Sequence, residues 1–217
     1  MNIAENILRH SLCNVYFLIG SPCAGKTTMC KLLAEKYGMT FYNTNHMDPE
    51  FDSWAQIQSR EYQPVSSMQT TDWDHFFNRP TDEYLAWLDA VSAEHLEYAL
   101  IELIKLSQHG KVVTDITIPI ELMQKLADPD RIACMLTDPE LVVRDYYNRD
   151  DHSDIYQCIL SLKDPVQSLE NNKQVLRKFC AQTTEAALGS GLFCHMRDSN
   201  SNIEDTLQQL ESHFKLH

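Results

Sequence analysis

The sixth residue of an unbroken apolar run is a glycine, and five positions later a second glycine is followed by Lys-Thr-Thr. The segment VYFLIGSPCAGKTTMCKLLAEKYG fills residues 15–38 of a chain that has only 6 glycines in 217 residues. An apolar run without alternation suits a strand buried on both faces, so 14–20 is predicted to be one. Met29, Leu32, Leu33 and Lys36 then recur at helical spacing, and Gly38 stands where a helix stops. Between the two elements lies Gly20-Ser21-Pro22-Cys23-Ala24-Gly25-Lys26-Thr27, which fits GxxxxGK[ST] in the strand-before, helix-after setting that the motif's mechanics require. A loop that wraps a polyphosphate must turn several backbone N–H groups inward, and glycine permits both the close approach and the unusual dihedrals. The first helical turn adds free N–H donors and the positive end of its dipole. Gly20, Ser21, Pro22, Cys23, Ala24, Gly25, Lys26, Thr27 and Thr28 are therefore the candidate contacts to ATP. Lys26 is assigned to the β- and γ-phosphates, Thr27 to Mg²⁺ and Thr28 to the α-phosphate. The competing reading is a tight strand–helix turn whose lysine is simply exposed.

The remainder of the chain alternates strand and helix signals. Residues 39–43 (MTFYN) read as a second strand, KVVTD as a third ending at Asp115, RIACMLTDP as a fourth and GLFCHMRD as a fifth. A long helix is expected from Thr81, as its cap, to Gln108, with Gly110 beyond it. Asp138 is positioned to cap a helix opening at Pro139, and Ser201 or Asn202 to cap the last one. Five strands in this order predict one α/β domain over 1–217, a three-layer, doubly wound parallel sheet. Periodicity fails over 45–80, which is expected to be an excursion covering a substrate. Residues 144–165, polar and uneven, are expected to form a lid.

The bulk composition narrows the partners. With 31 acidic against 18 basic residues and a formal charge of −13, no basic face for nucleic acid is expected. No apolar stretch is long enough to span a bilayer, and MNIAENILRHSL has the wrong make-up for a secretory leader. Seven cysteines without a CxxC pair suit reduced, mostly buried thiols, and a cytoplasmic location is expected. A small anionic or hydroxyl-bearing acceptor fits, if a few cations converge on it. Arg60 and Arg79 are the basic residues available in the excursion, and Trp54, Trp73 or Tyr62 the stacking surfaces. Asp74 is a further acceptor-side candidate. The alternative for Arg79 is to brace the start of the long helix. Asp115 is the carboxylate best placed for Mg²⁺, because ligands gather at the carboxyl ends of such strands; its alternative is a turn aspartate. His213 and His217, four apart on the last helix, lack a third ligand and are not assigned to a metal.

Residues 20–28, the strand TFYN and the helix–polar loop–helix after RIACMLTDP resemble the nucleoside monophosphate kinase and shikimate kinase branch of P-loop proteins. The landmarks GSPCAGKTT, HMD, QP, WD and RP also resemble a group of uncharacterised bacterial P-loop kinase-like proteins. The resemblance implies an ATP- and Mg²⁺-dependent transfer of phosphate to a small metabolite, with nucleosides and nucleotides among the candidates. It makes Arg144 and Arg149 lid arginines that neutralise charge on the moving phosphoryl group; their alternative is surface pairing with Asp145, Asp150 or Asp151. It also places Arg197-Asp198-Ser199-Asn200 against the nucleotide base. The pattern departs at FYNTNHMD, where Thr44 and Asn45 stand in place of acids. Asp48 or His46 is then the candidate base, against a helix cap and a packed histidine. A non-catalytic nucleotide sensor and a simple ATPase are the rival readings.

Overall fold

Five parallel strands form a single sheet in the computed structural model, which describes residues 4–43, 72–149 and 153–216. They are β1 (Val15–Gly20), β2 (Thr40–Tyr42), β3 (Val112–Thr114), β4 (Ile132–Thr137) and β5 (Phe193–Arg197), in the order β2-β3-β1-β4-β5. The described helices are α1 (Glu5–Ser11), α2 (Lys26–Tyr37), α3 (Trp73–Asn78), α4 (Thr81–Ser107), α5 (Ile120–Leu126), α6 (Pro139–Asp145), α7 (Ser153–Leu160), α8 (Pro165–Gly189) and α9 (Ile203–Phe214). The α/β, doubly wound architecture expected from the sequence is the one observed.

β1 reads as continuously apolar because its two faces meet two different cores. Val15, Phe17 and Ile19 join Leu12, Leu96, Ala99, Leu103, Met123 and Ala187 on the face covered by α4, α5 and α8. Tyr16 and Leu18 instead meet Met29, Cys30 and Leu33 of α2 with Leu210 and Phe214 of α9. β4 repeats the division, with Ile132, Cys134 and Leu136 on the first side and Ala133 and Met135 on the second. The period of two fixes where the next residues go. β3 sends Val113 to the α2 side, so Asp115, two positions on, leaves the sheet on that side as well.

β3 lies on one side of β1 and β4 on the other, so the direction of sheet growth reverses between them. A crevice opens at the carboxyl ends of strands at such a reversal. Gly20 closes β1 at that point with φ 116°, opposite Met135 of β4. A Cβ on Gly20 would stand 2.2 Å from the Met135 carbonyl oxygen, the same oxygen that accepts the Ser21 N–H at 2.9 Å. The first glycine of the motif thus serves close packing of two strands.

The caps expected at Asp138 and Asn202 are present, accepting from the Glu140 N–H at 2.8 Å and the Asp205 N–H at 3.1 Å. Thr81 is not a cap: it is the first residue of α4, preceded by Pro80 with no side-chain cap. Two helices went unanticipated. α1 has no capping side chain and buries no residue fully, so it leaves little periodic signal. α7 is short and fully buries only Ile159. The seven cysteines are unpaired, with Cys23, Cys30, Cys134 and Cys180 buried. Among the described residues no helix is long and apolar enough to cross a membrane.

Gly20→Ala is expected to lower the unfolding free energy by about 2–5 kcal/mol, combining left-handed strain with a collision against backbone. Gly38→Ala, at φ 62° with nothing near its Cβ, should lose only about 1–2 kcal/mol. Urea unfolding of both variants checks the difference.

Candidate functional site

The loop from Gly20 to α2 has left-handed backbone at Gly20, at Cys23 with φ 56°, and at Gly25 with φ 85°. Gly25 is the N-cap of α2 and contributes no side-chain cap, so the first N–H groups of the helix stay available to an anion. Lys26 folds back over the loop: its Nζ donates to the carbonyls of Gly20 at 3.1 Å and Ser21 at 2.5 Å. Burial pushes the Lys26 ammonium down to about 8, against the opposing charge of Asp115. A half-buried cation gains more from an arriving phosphate than one on an open surface.

Thr27 donates its hydroxyl hydrogen to Asp115 Oδ2. Asp115 is only 3% exposed; burial pushes its carboxyl up, while the Thr27 hydrogen bond, the Lys26 charge and more weakly the Arg149 charge pull it down. The other oxygen, Oδ1, is buried with no hydrogen-bond partner among the described residues. A hydroxyl and a carboxylate with a spare buried oxygen are hard oxygen donors, the set that Mg²⁺ prefers. Thr27 and Asp115 therefore fit a magnesium ion, held directly or through water. Thr28 continues along α2 with its side chain exposed.

Arg144 and Arg149 part company. α6 ends at Asp145, between them, which is the condition for both to face the loop. Arg144 nevertheless stays exposed and grips its neighbour, Nε to Asp145 Oδ1 at 2.6 Å and Nη2 to Oδ2 at 2.9 Å. Arg149 follows a 3₁₀ turn over Tyr146–Asn148 in extended backbone, and its guanidinium acts to lower the Cys23 thiol. Its charge also acts on Lys26 and Asp115. Cys23 packs beside Val142 of α6 and Cys180 of α8, so the loop's centre is wedged against these two helices. Burial pushes its thiol up, partly offset by Arg149.

Asp74 lies on α3 and Arg79 just after it, beside a third apolar cluster made by Phe76 and Phe77 of α3, Trp87 and Val91 of α4, and Ile159 of α7. Arg79 lies over three rings, at 4.2 Å from Phe76 and 4.8 Å from both Tyr84 and Trp87, with Nε donating to the Phe76 carbonyl at 3.0 Å. Asp74 accepts the Lys163 N–H at 3.0 Å and faces the Lys163 ammonium at 3.7 Å. Among the described residues, neither side chain has a hydrogen bond or ion pair to the loop. His46, Asp48 and Arg60 lie outside the described residues, as do Thr44, Asn45, Trp54, Tyr62, Asp150, Asp151 and His217.

At the other end of the site, Arg197 donates through Nη1 to the Cys23 carbonyl. The sequence reading gave this arginine no role on the loop. The signal was present in the alternation of β5, which puts His195 and Arg197 on one face, with His195 bonded to Gln209 and Thr206 of α9. Asp198 makes a local turn, accepting from Asn200 N–H at 2.8 Å and from the Ser201 hydroxyl at 3.0 Å. His213 stacks on Phe193 at 4.4 Å, and its Nε2 bonds the Ile132 carbonyl at 2.8 Å.

Fold and loop together make an α/β parallel sheet that carries a GxxxxGK[ST] loop between its central strand and α2. The chain matches no protein-family profile and no curated protein. Among solved structures it is similar to shikimate kinase from Acinetobacter baumannii in complex with shikimate, at 16% identity and TM-score 0.49, covering 90% of this chain and 89% of that one. It is also similar to dephospho-CoA kinase from Campylobacter jejuni, at 14% identity and TM-score 0.46 over 93% and 96%. Shikimate kinase from Bacteroides thetaiotaomicron gives 18% identity and TM-score 0.45 over 93% and 98%.

Asp115→Asn is expected to weaken MgATP binding by about 10–100-fold while changing metal-free ATP binding by less than about threefold. Titration calorimetry with and without a chelator measures both.

Proposed function

We propose that the chain is an ATP- and Mg²⁺-dependent phosphotransferase acting on a small metabolite, with nucleosides and nucleotides first among the acceptors to test. The observation that supports this most directly is the convergence of Lys26, Asp115 and Arg149 on one phosphate loop. Nucleotide binding alone asks for the lysine and the amides. A further cation brought from the lid side has its clearest use where charge develops on a moving phosphoryl group.

In this reading the loop amides and Lys26 hold the triphosphate, and Thr27 and Asp115 hold the magnesium. The metal, when bound, neutralises charge on the phosphate oxygens. Arg149 supplies the lid cation. Arg144, engaged by Asp145, is left out of the clamp. Asp74 and Arg79 brace the junction of α3, α4 and the start of α8, and substrate contact falls to residues after β2, including Arg60. Asp48 or His46 takes the acceptor proton. Phosphoryl transfer depends mainly on positioning and charge, so the lack of acids at Thr44 and Asn45 is compatible with turnover. The acid excess of the chain favours a small acceptor over nucleic acid.

The test is ADP release from MgATP across a panel of nucleosides, nucleotides, sugars and hydroxy acids. A phosphotransferase gives acceptor-stimulated release with at least one of them. Nucleotide binding without stimulated release would favour a sensor, and full phosphate release without acceptor a simple ATPase. With the acceptor found, Lys26→Ala should abolish turnover. Arg149→Ala should lower kcat by about 10²–10⁴-fold, and Arg144→Ala by less than about fivefold.

A further inference from the structure

Arg197 stands two strands away from the phosphate loop, yet it touches the loop's backbone. β5 is hydrogen-bonded to β4, with Arg197 opposite Thr137 at the carboxyl end of the sheet. From there the guanidinium reaches the Cys23 carbonyl. The Arg197 charge also helps hold the Asp145 carboxyl below its ordinary range, so an acid at the end of α6 lies within its field.

The carbonyl it holds belongs to the one non-glycine residue of the loop in left-handed backbone. An L-residue resists that conformation, and something must keep it there. The peptide joining Cys23 to Ala24 is planar and trans, so its C=O and N–H point in opposite directions. Fixing the carbonyl toward Arg197 therefore fixes the Ala24 N–H away from it. We propose that Arg197 is a positioning residue of the phosphate loop: by holding the Cys23 carbonyl outward it presents the Ala24 N–H to the phosphates of the bound nucleotide. This rests on the reading of the loop as a triphosphate site. It assigns Arg197 a backbone-orienting task, separate from the charge supplied by Lys26 and Arg149.

The test is a double-mutant cycle on MgATP affinity, measured by titration calorimetry on the full chain. Arg197→Met should weaken binding about tenfold, and Arg197→Lys, which keeps a charged donor, should stay within about threefold of the parent. Cys23→Gly takes left-handed backbone freely, so in that background Arg197→Met should weaken binding by less than about threefold. An equal tenfold loss in both backgrounds would mean direct contact with the nucleotide and overturn the positioning role. So would unchanged binding in Arg197→Met. Should Arg197→Met fail to fold, the Lys variant decides: a loss as large as tenfold counts against the proposal. Absence of MgATP binding by the parent chain would strike earlier, at the triphosphate site itself, and take this proposal with it.

Discussion

The site depends on how closely β1 approaches β4. At Gly20 the gap to the Met135 carbonyl is too small for any side chain, and the same carbonyl accepts the next N–H, from Ser21. That contact ends the strand pairing and starts the loop. It sets where Gly25 begins α2, and with it where Lys26 and Thr27 project. The two apolar cores above and below β1 make the strand immobile, so the loop is carried on a rigid base. Precision at a phosphate site requires such a base, because amide donors lose value quickly when misdirected.

Around that base the chain assembles a local charge opposite to its average. Lys26, Arg149 and Arg197 approach Cys23 from α2, the segment after α6 and β5, and Asp115 and Asp145 are acids among them. The protein as a whole carries −13. An acidic exterior with a small basic focus attracts an anion only at short range, since fields from separated surface charges fade over about 10 Å in ordinary salt. Such a distribution favours a compact anion over an extended polyanion.

The sheet was legible because each buried strand carried a continuous apolar run and each boundary a glycine, a proline or a capping acid. The loop's shape was legible because backbone constraints show as glycines at fixed spacing. Asp115 could be found from its position at a strand end. The partners of the arginines could not. Arg144 and Arg149 are alike in sequence, both flanked by acids, and only the 3₁₀ turn at Tyr146–Asn148 separates their directions. The three rings and the carbonyl that surround Arg79 come from residues whose approach depends on how α3 meets α4. Glu94 gave no signal at all. It is 2% exposed within α4 and accepts the Tyr98 hydroxyl at 3.1 Å, a burial that depends on tertiary neighbours.

α4 runs for 27 residues, which at 1.5 Å each is roughly 40 Å of rod. Its early turns, with Trp87 and Val91, belong to the aromatic cluster, and its later turns, with Leu96, Ala99 and Leu103, to the main core. The chain then crosses to β3, at whose end stands Asp115. The aromatic cluster is thus not a free-hanging module: one continuous helix joins it to the main core just ahead of the strand that delivers the carboxylate.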